Sequence, residues 1–137
     1  MNLRRGSLIV GTALAVLVVN VAISVLYMVV YSYLINPGHD STFYQAHVQF
    51  AAPYSSIIAG MPLMYFAGRW IGRKAPAGSA IASALSVWLV YAVVDLAVVI
   101  PAATARLVPL VAISLVTKLA ASLLGGLSAK RRAAASA

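Results

Sequence analysis

Four long apolar runs constrain this chain more than any other feature. They cover about residues 8–35, 53–71, 78–100 and 105–127. Crossing about 30 Å of hydrocarbon takes roughly 20 helical residues, and each run has that order of length. Composition points the same way. The chain is 63% hydrophobic and 9% charged, with a mean hydropathy of +0.96, whereas a soluble domain is nearer about half apolar and a quarter charged. Period-two alternation is missing, and a membrane barrel needs at least about eight strands. The expected fold is therefore all-α: an integral membrane four-helix bundle forming one domain over residues 1–137. Residues 128–137, ending AKRRAAASA, read as a low-complexity, disordered cytoplasmic tail.

The opening MNLRRGSLIVG resembles the charged start of a signal peptide. The apolar run behind it is far longer than a 7–15-residue signal core, and no small-residue cleavage pattern follows. It is expected to stay attached as the first span.

Ten basic residues face two acidic ones, for a net charge of +8. Arg4, Arg5, Arg69, Arg73, Lys74, Lys130, Arg131 and Arg132 fall at the start, between the second and third runs, and at the end. Residues 36–52, between the first two runs, carry no lysine or arginine. The positive-inside rule places both termini in the cytoplasm and residues 36–52 outside. A plasma membrane, of the bacterial inner type, is the expected location. No basic face interleaved with aromatic residues is available for a phosphate backbone, so nucleic acid is not an expected partner. The expected partners are the lipid bilayer and a second copy or another membrane protein. Cysteine is absent, which excludes thiolate nucleophiles, disulfide exchange and cysteine-ligated clusters. Nothing in the sequence calls for a cofactor.

The outer segment NPGHDSTFYQAHVQFAA opens with a turn signal, after which Asp40 or Ser41 can cap a helix. Phe43, His47 and Phe50 then recur at helical spacing, predicting a short helix lying on the membrane surface with its phenylalanines inserted. His47 on that face is a candidate sensor of external pH; His39, Asp40 and His47 match no recognised metal-ligand spacing.

Rows of small residues mark where helices approach closely. They include Ser56-x-x-x-Gly60 and Gly68-x-x-x-Gly72 in the second run, Ser79-x-x-x-Ser83 and Ala82-x-x-x-Ser86 in the third, and Thr117, Ala121 and Gly125 in the fourth. Pro62 is expected to bend the second span.

Polar residues inside the apolar runs form the candidate site. Asp95 stands in YAVVDLAVVIP, five residues and so roughly 7 Å from the outer end of its span. A charge at mid-bilayer costs about 2.5–3.5 kcal/mol on insertion scales, so Asp95 should face the bundle or a wet cavity. Tyr91 shares its face. On the first run Asn20, Ser24, Tyr27 and Tyr31 form one stripe, and the two stripes are expected to face each other. Arg106 is the expected countercharge, whereas Lys118 is expected to snorkel towards the cytoplasmic surface.

Two readings of this constellation stay open: polar glue that fixes helix register, or a proton- or cation-binding site. No nucleophile–base pair is evident, so catalysis is not expected. The corresponding functions are a non-catalytic accessory or structural subunit of a membrane assembly, or a small transporter or channel component using Asp95.

Overall fold

The computed structural model describes residues 3–76, 78–102, 105 and 107–135. It is all-helical, with four long helices and no strand among the described residues. Helix α1 covers Leu3–Val30 and widens into a π turn at Tyr31–Ile35; α2 covers Ser41–Lys74, α3 Ala80–Val99 and α4 Val108–Ala135. A single 3₁₀ turn, Ile100–Ala102, follows α3. All four helices are long and apolar enough to cross a membrane.

Two boundaries differ from the sequence reading. The short surface helix expected in the first loop is not separate. Its residues are the first turns of α2, which runs unbroken for 34 residues through Pro53 and Pro62. At 1.5 Å per residue that is about 51 Å, well beyond a hydrocarbon core. Asp40 starts it as foreseen, accepting a hydrogen bond from the Phe43 N–H at 3.0 Å. At the other end, α4 continues to Ala135, so helix extends into the stretch read as a disordered tail.

The helices pair because their small residues permit it. The most extensive contact joins α2 and α4. A methyl group on Gly68 would run into the Ser122 backbone carbonyl, and one on Gly125 into the Tyr65 carbonyl and, at 2.8 Å, the Arg69 nitrogen. Backbones this close exclude any side chain. The α4 residues that meet α2 include Lys118, Ser122, Gly125 and Ala129, so Gly125 of the predicted row lies on this contact, beside Lys118 and Ser122 in the places expected for Thr117 and Ala121. Thr117 turns its hydroxyl back onto its own helix, at 2.8 Å from the Ile113 carbonyl.

Helix α1 lies on α2 and α3 and buries one stripe, Ile9, Ala13, Val16 and Asn20. The first three join Met64, Ala67, Ile71, Val87 and Tyr91 in the apolar core. Side-chain bonds pin the bundle at several heights. Arg5 donates to Ser79 at 2.8 Å and also to Ser83, tying α1 to the start of α3. The Trp88 indole donates to the Leu115 carbonyl at 3.0 Å, and Ser122 to the Ala84 carbonyl at 2.9 Å, both between α3 and α4.

Candidate functional site

In the first half of α4, Lys118 turns inward and is completely buried. This overturns the expectation that it snorkels to a surface. Room for it comes from α2: Gly60 has no Cβ, and a methyl there would overlap the lysine's Cε. The lysine stem passes over that glycine and delivers its ammonium to two hydroxyl oxygens, Ser56 Oγ on α2 and Tyr91 Oη on α3, each at 2.8 Å. The same two oxygens accept from Asn20 Nδ2 on α1, at 2.9 Å and 3.2 Å. Two donors and two acceptors, one from each helix, close a polar knot at the centre of the bundle.

Donor and acceptor counting shows what the knot leaves over. Tyr91 Oη accepts twice, so its own proton points to a further partner. Asp95 lies one helical turn along α3, half-buried, and interacts with both the Tyr91 hydroxyl and the Lys118 charge. No direct hydrogen bond joins ammonium and carboxylate among the described residues; Tyr91, one turn before Asp95 on α3, bonds the ammonium. Arg106, the expected countercharge, lies outside the described residues.

Above the knot, towards the Asn36 end of the bundle, the helices part. A cavity of about 690 Å³ opens between them, lined mostly by aliphatic side chains, with Asn20, Ser56, Asp95 and Ser114 among its polar residues and Ser32 and Tyr44 also in its wall. Two polar atoms here are buried without a partner, Asn20 Oδ1 and Ser114 Oγ. Their residues are only 4% and 5% exposed.

The predicted α1 stripe divides. Asn20 does meet Tyr91, but Ser24 turns to Ser55 of α2 at 2.8 Å. Tyr27 and Tyr31 do not face Asp95. They hold His47, whose ring stacks on Tyr31 at 3.8 Å between centroids and bonds the Tyr27 hydroxyl at 3.2 Å. His47 thus clasps α1 to the start of α2. Phe43 and Phe50 flank the clasp instead, against His39 at 4.1 Å and Tyr54 at 5.0 Å. Tyr44 staples the turn, donating to the Asn36 carbonyl at 2.8 Å. At its edge the Thr42 hydroxyl, then the Phe43 N–H, hold the Asp40 carboxyl below the usual carboxylate range. Among the described residues no three His, Cys, Asp or Glu side chains gather as a metal site.

Sequence reasoning found Asn20, Tyr91 and Asp95 but missed Lys118 and Ser56 as members. The signal was present. Ser114, Lys118 and Ser122 recur at i, i+4 and i+8, a polar row that a lysine bound for the surface would not need. Ser56-x-x-x-Gly60 supplies a hydroxyl beside a gap, which is what a lysine side chain requires. Comparison with family models, curated proteins and solved structures finds no match to this chain.

Proposed function

We propose that this chain is a multi-pass plasma-membrane protein, of the bacterial inner-membrane type, with both termini cytoplasmic and residues 36–52 outside. It works without catalysis as a small transport or channel component. Asp95 takes up a proton or cation from the outer side, and Lys118 is the fixed countercharge behind it. The observation that carries this reading is the fully buried Lys118. Removing an ammonium from water costs several kcal/mol even after relaxation, and neutral packing usually serves stability as well or better. The glycine seam between α2 and α4 already joins the helices, so association alone does not require the charge. Intramembrane ionisable groups of this kind typically mark ion and proton pathways.

The division of labour follows from position. Asp95 lines the cavity, where an incoming proton or cation meets it first. Tyr91, bonded to Lys118 and interacting with Asp95, couples the occupancy of the carboxylate to the state of the amine. The knot spans all four helices, so a change at Asp95 is felt by each.

Orientation draws support from charge. The basic clusters, including Arg5, Arg73, Lys74 and Lys130, gather at the end of the bundle opposite residues 36–40. Large apolar side chains such as Ile58 and Phe66 point outward, 70% and 62% exposed, as a lipid-facing surface requires.

The test is proton movement in liposomes. A pH-sensitive dye inside vesicles holding the wild-type chain should report uptake under an imposed potential. Asp95→Asn should remove that uptake while leaving helix content and detergent stability intact. Wild-type vesicles no leakier to protons or monovalent cations than empty ones would overturn the reading. The accessory-subunit reading would then stand. It draws on α3, where Ala82 stays exposed and Ser86 bonds only its own helix, at 2.9 Å from the Ala82 carbonyl, leaving a small-residue row for another membrane helix.

A further inference from the structure

The basic end of the bundle gathers cations with no acidic side chain to balance them. The chain has two acidic residues, Asp40 and Asp95. One caps the start of α2 and the other lines the cavity above the knot, so both stand in the opposite half. At the end of α2, Arg69 and Arg73 are four residues apart and share a face. Lys74 lies over the Trp70 ring, its ammonium 4.0 Å from the centroid. Arg69 also meets the Tyr65 hydroxyl of its own helix, whereas Arg73 is exposed. Counterions for this corner come from outside the chain.

The same residues close one end of a groove between α1 and α2, about 900 Å³ in volume. Leu8, Gly11, Ala15 and Val19 of α1 and Leu63 and Phe66 of α2 line it. The Ser7 and Thr12 hydroxyls in its wall turn onto their own helix, 3.0 Å from the Arg4 carbonyl and 2.7 Å from that of Leu8. Gly11 keeps the floor low. A methyl there would meet nothing within 4 Å, whereas Gly60, Gly68 and Gly125 each give way to a neighbour inside the bundle. No contact within the chain calls for this glycine, which costs a helix about 1 kcal/mol against alanine. Ser7 and Val19, the ends of the groove on α1, are twelve positions apart, about 18 Å along a helix. One leaflet contributes half of a hydrocarbon core about 30 Å thick. The groove therefore has the depth of one leaflet, apolar along its length and cationic where headgroups lie.

We infer that this groove binds one anionic phospholipid from the leaflet at the basic end. Its phosphate sits on the Arg73 and Arg69 guanidiniums beside Trp70, and one acyl chain runs past Gly11 and Ala15 towards Val19. Guanidinium matches phosphate in charge and geometry, and tryptophan is at home at headgroup level. A zwitterionic head brings its own ammonium against Arg73 and Lys74, so an anionic head fits better. The inference goes beyond the proton reading and does not depend on it, because the groove and the cavity at Asp95 share no residue.

Native mass spectrometry of the full chain in nonionic detergent tests it, with dioleoylphosphatidylglycerol and dioleoylphosphatidylcholine as probes. The two share their acyl chains and differ in head charge. Phosphatidylglycerol should give a saturable single adduct, more than tenfold tighter than phosphatidylcholine. Arg73→Gln should weaken it about fivefold, the equivalent of about 1 kcal/mol for one basic residue. Lys130→Gln removes the same charge from α4, away from the groove, and should change it little. Gly11→Ala leaves room for the chain and should bind normally. Gly11→Phe fills the groove and should abolish the adduct while helix content stays unchanged. Equal binding of the two lipids, equal losses from Arg73→Gln and Lys130→Gln, or an adduct that Gly11→Phe leaves intact overturns the inference. So does a dimer that phosphatidylglycerol does not separate and Gly11→Phe does, since a second copy then fills the groove. The Arg73 and Lys130 pair decides the matter even if Gly11→Phe fails to fold.

Discussion

Helices α2 and α4 meet in two different ways along their length. From Gly68 to Gly72 on α2 and from Ser122 to Ala129 on α4, backbone touches backbone and no space remains. From Ser56 to Gly60, facing Ser114 and Lys118, the same pair opens around a charged side chain and borders a cavity. The seam is made of residues chosen for having almost no side chain. The open half is made of residues that each carry a hydrogen-bonding group. One half fixes the geometry, and that rigidity lets the other half hold a buried ammonium with little but hydroxyls around it.

The contrast predicts unequal sensitivity to mutation. The largest effect should fall on the seam. Gly125→Ala places a methyl against the Tyr65 carbonyl and Arg69 nitrogen, and overpacking of rigid backbone typically costs about 1–3 kcal/mol or more. Denaturation in detergent should show a loss near the top of that range. A neutral result would mean that the seam is loose and that the comparison fails.

In the knot, Tyr91→Phe removes the acceptor shared by Lys118 and Asn20 and leaves both donors short of a partner. A loss of about 1–3 kcal/mol is expected, together with weakened proton uptake. A stability loss without any change in uptake would recast the knot as glue between helices.

Gly11 on α1 belongs to neither region, and a methyl there would meet nothing within 4 Å. Gly11→Ala should therefore stabilise by about 0.5–1 kcal/mol through helix propensity alone. Destabilisation would show that a partner covers this face.

The smallest effect concerns the rim. The Asp40 carboxyl is held below its ordinary value of 3.8 by the Thr42 hydroxyl and the Phe43 N–H. A depressed folded-state value means that the cap is fully effective above about pH 4 and is lost as pH falls through the lower folded value. Amide exchange in the first turn of α2 should accelerate only below that point, and Asp40→Asn, which still caps, should flatten the dependence.

Much of this was legible in the chain. Span count and the use of small residues followed from run length and from glycine spacing, because burial in hydrocarbon leaves helices few alternatives. Asn20, Tyr91 and Asp95 stood out as polar residues that could not face lipid. Lys118 did not, because a long flexible stem makes a mid-span lysine compatible with two opposite placements. Only the position of Gly60 decides between them, and that depends on how α2 and α4 are registered against each other. The clasp of His47 on Tyr27 and Tyr31 was hidden for a similar reason. Helical periodicity shows which residues share a face but not where that face points, and the unbroken run of α2 through Pro53 turned it towards α1.

The central claim is that the Lys118 amine is sealed inside the bundle rather than extended to a surface. The chain holds three lysines, Lys74, Lys118 and Lys130, so a water-soluble amine-modifying reagent applied to the folded protein in detergent, followed by mass mapping, gives a direct comparison. Lys74 and Lys130 should be modified readily and Lys118 only after unfolding. Modification of Lys118 at the rate of the other two would place its amine in water and remove the knot on which the proposed function depends.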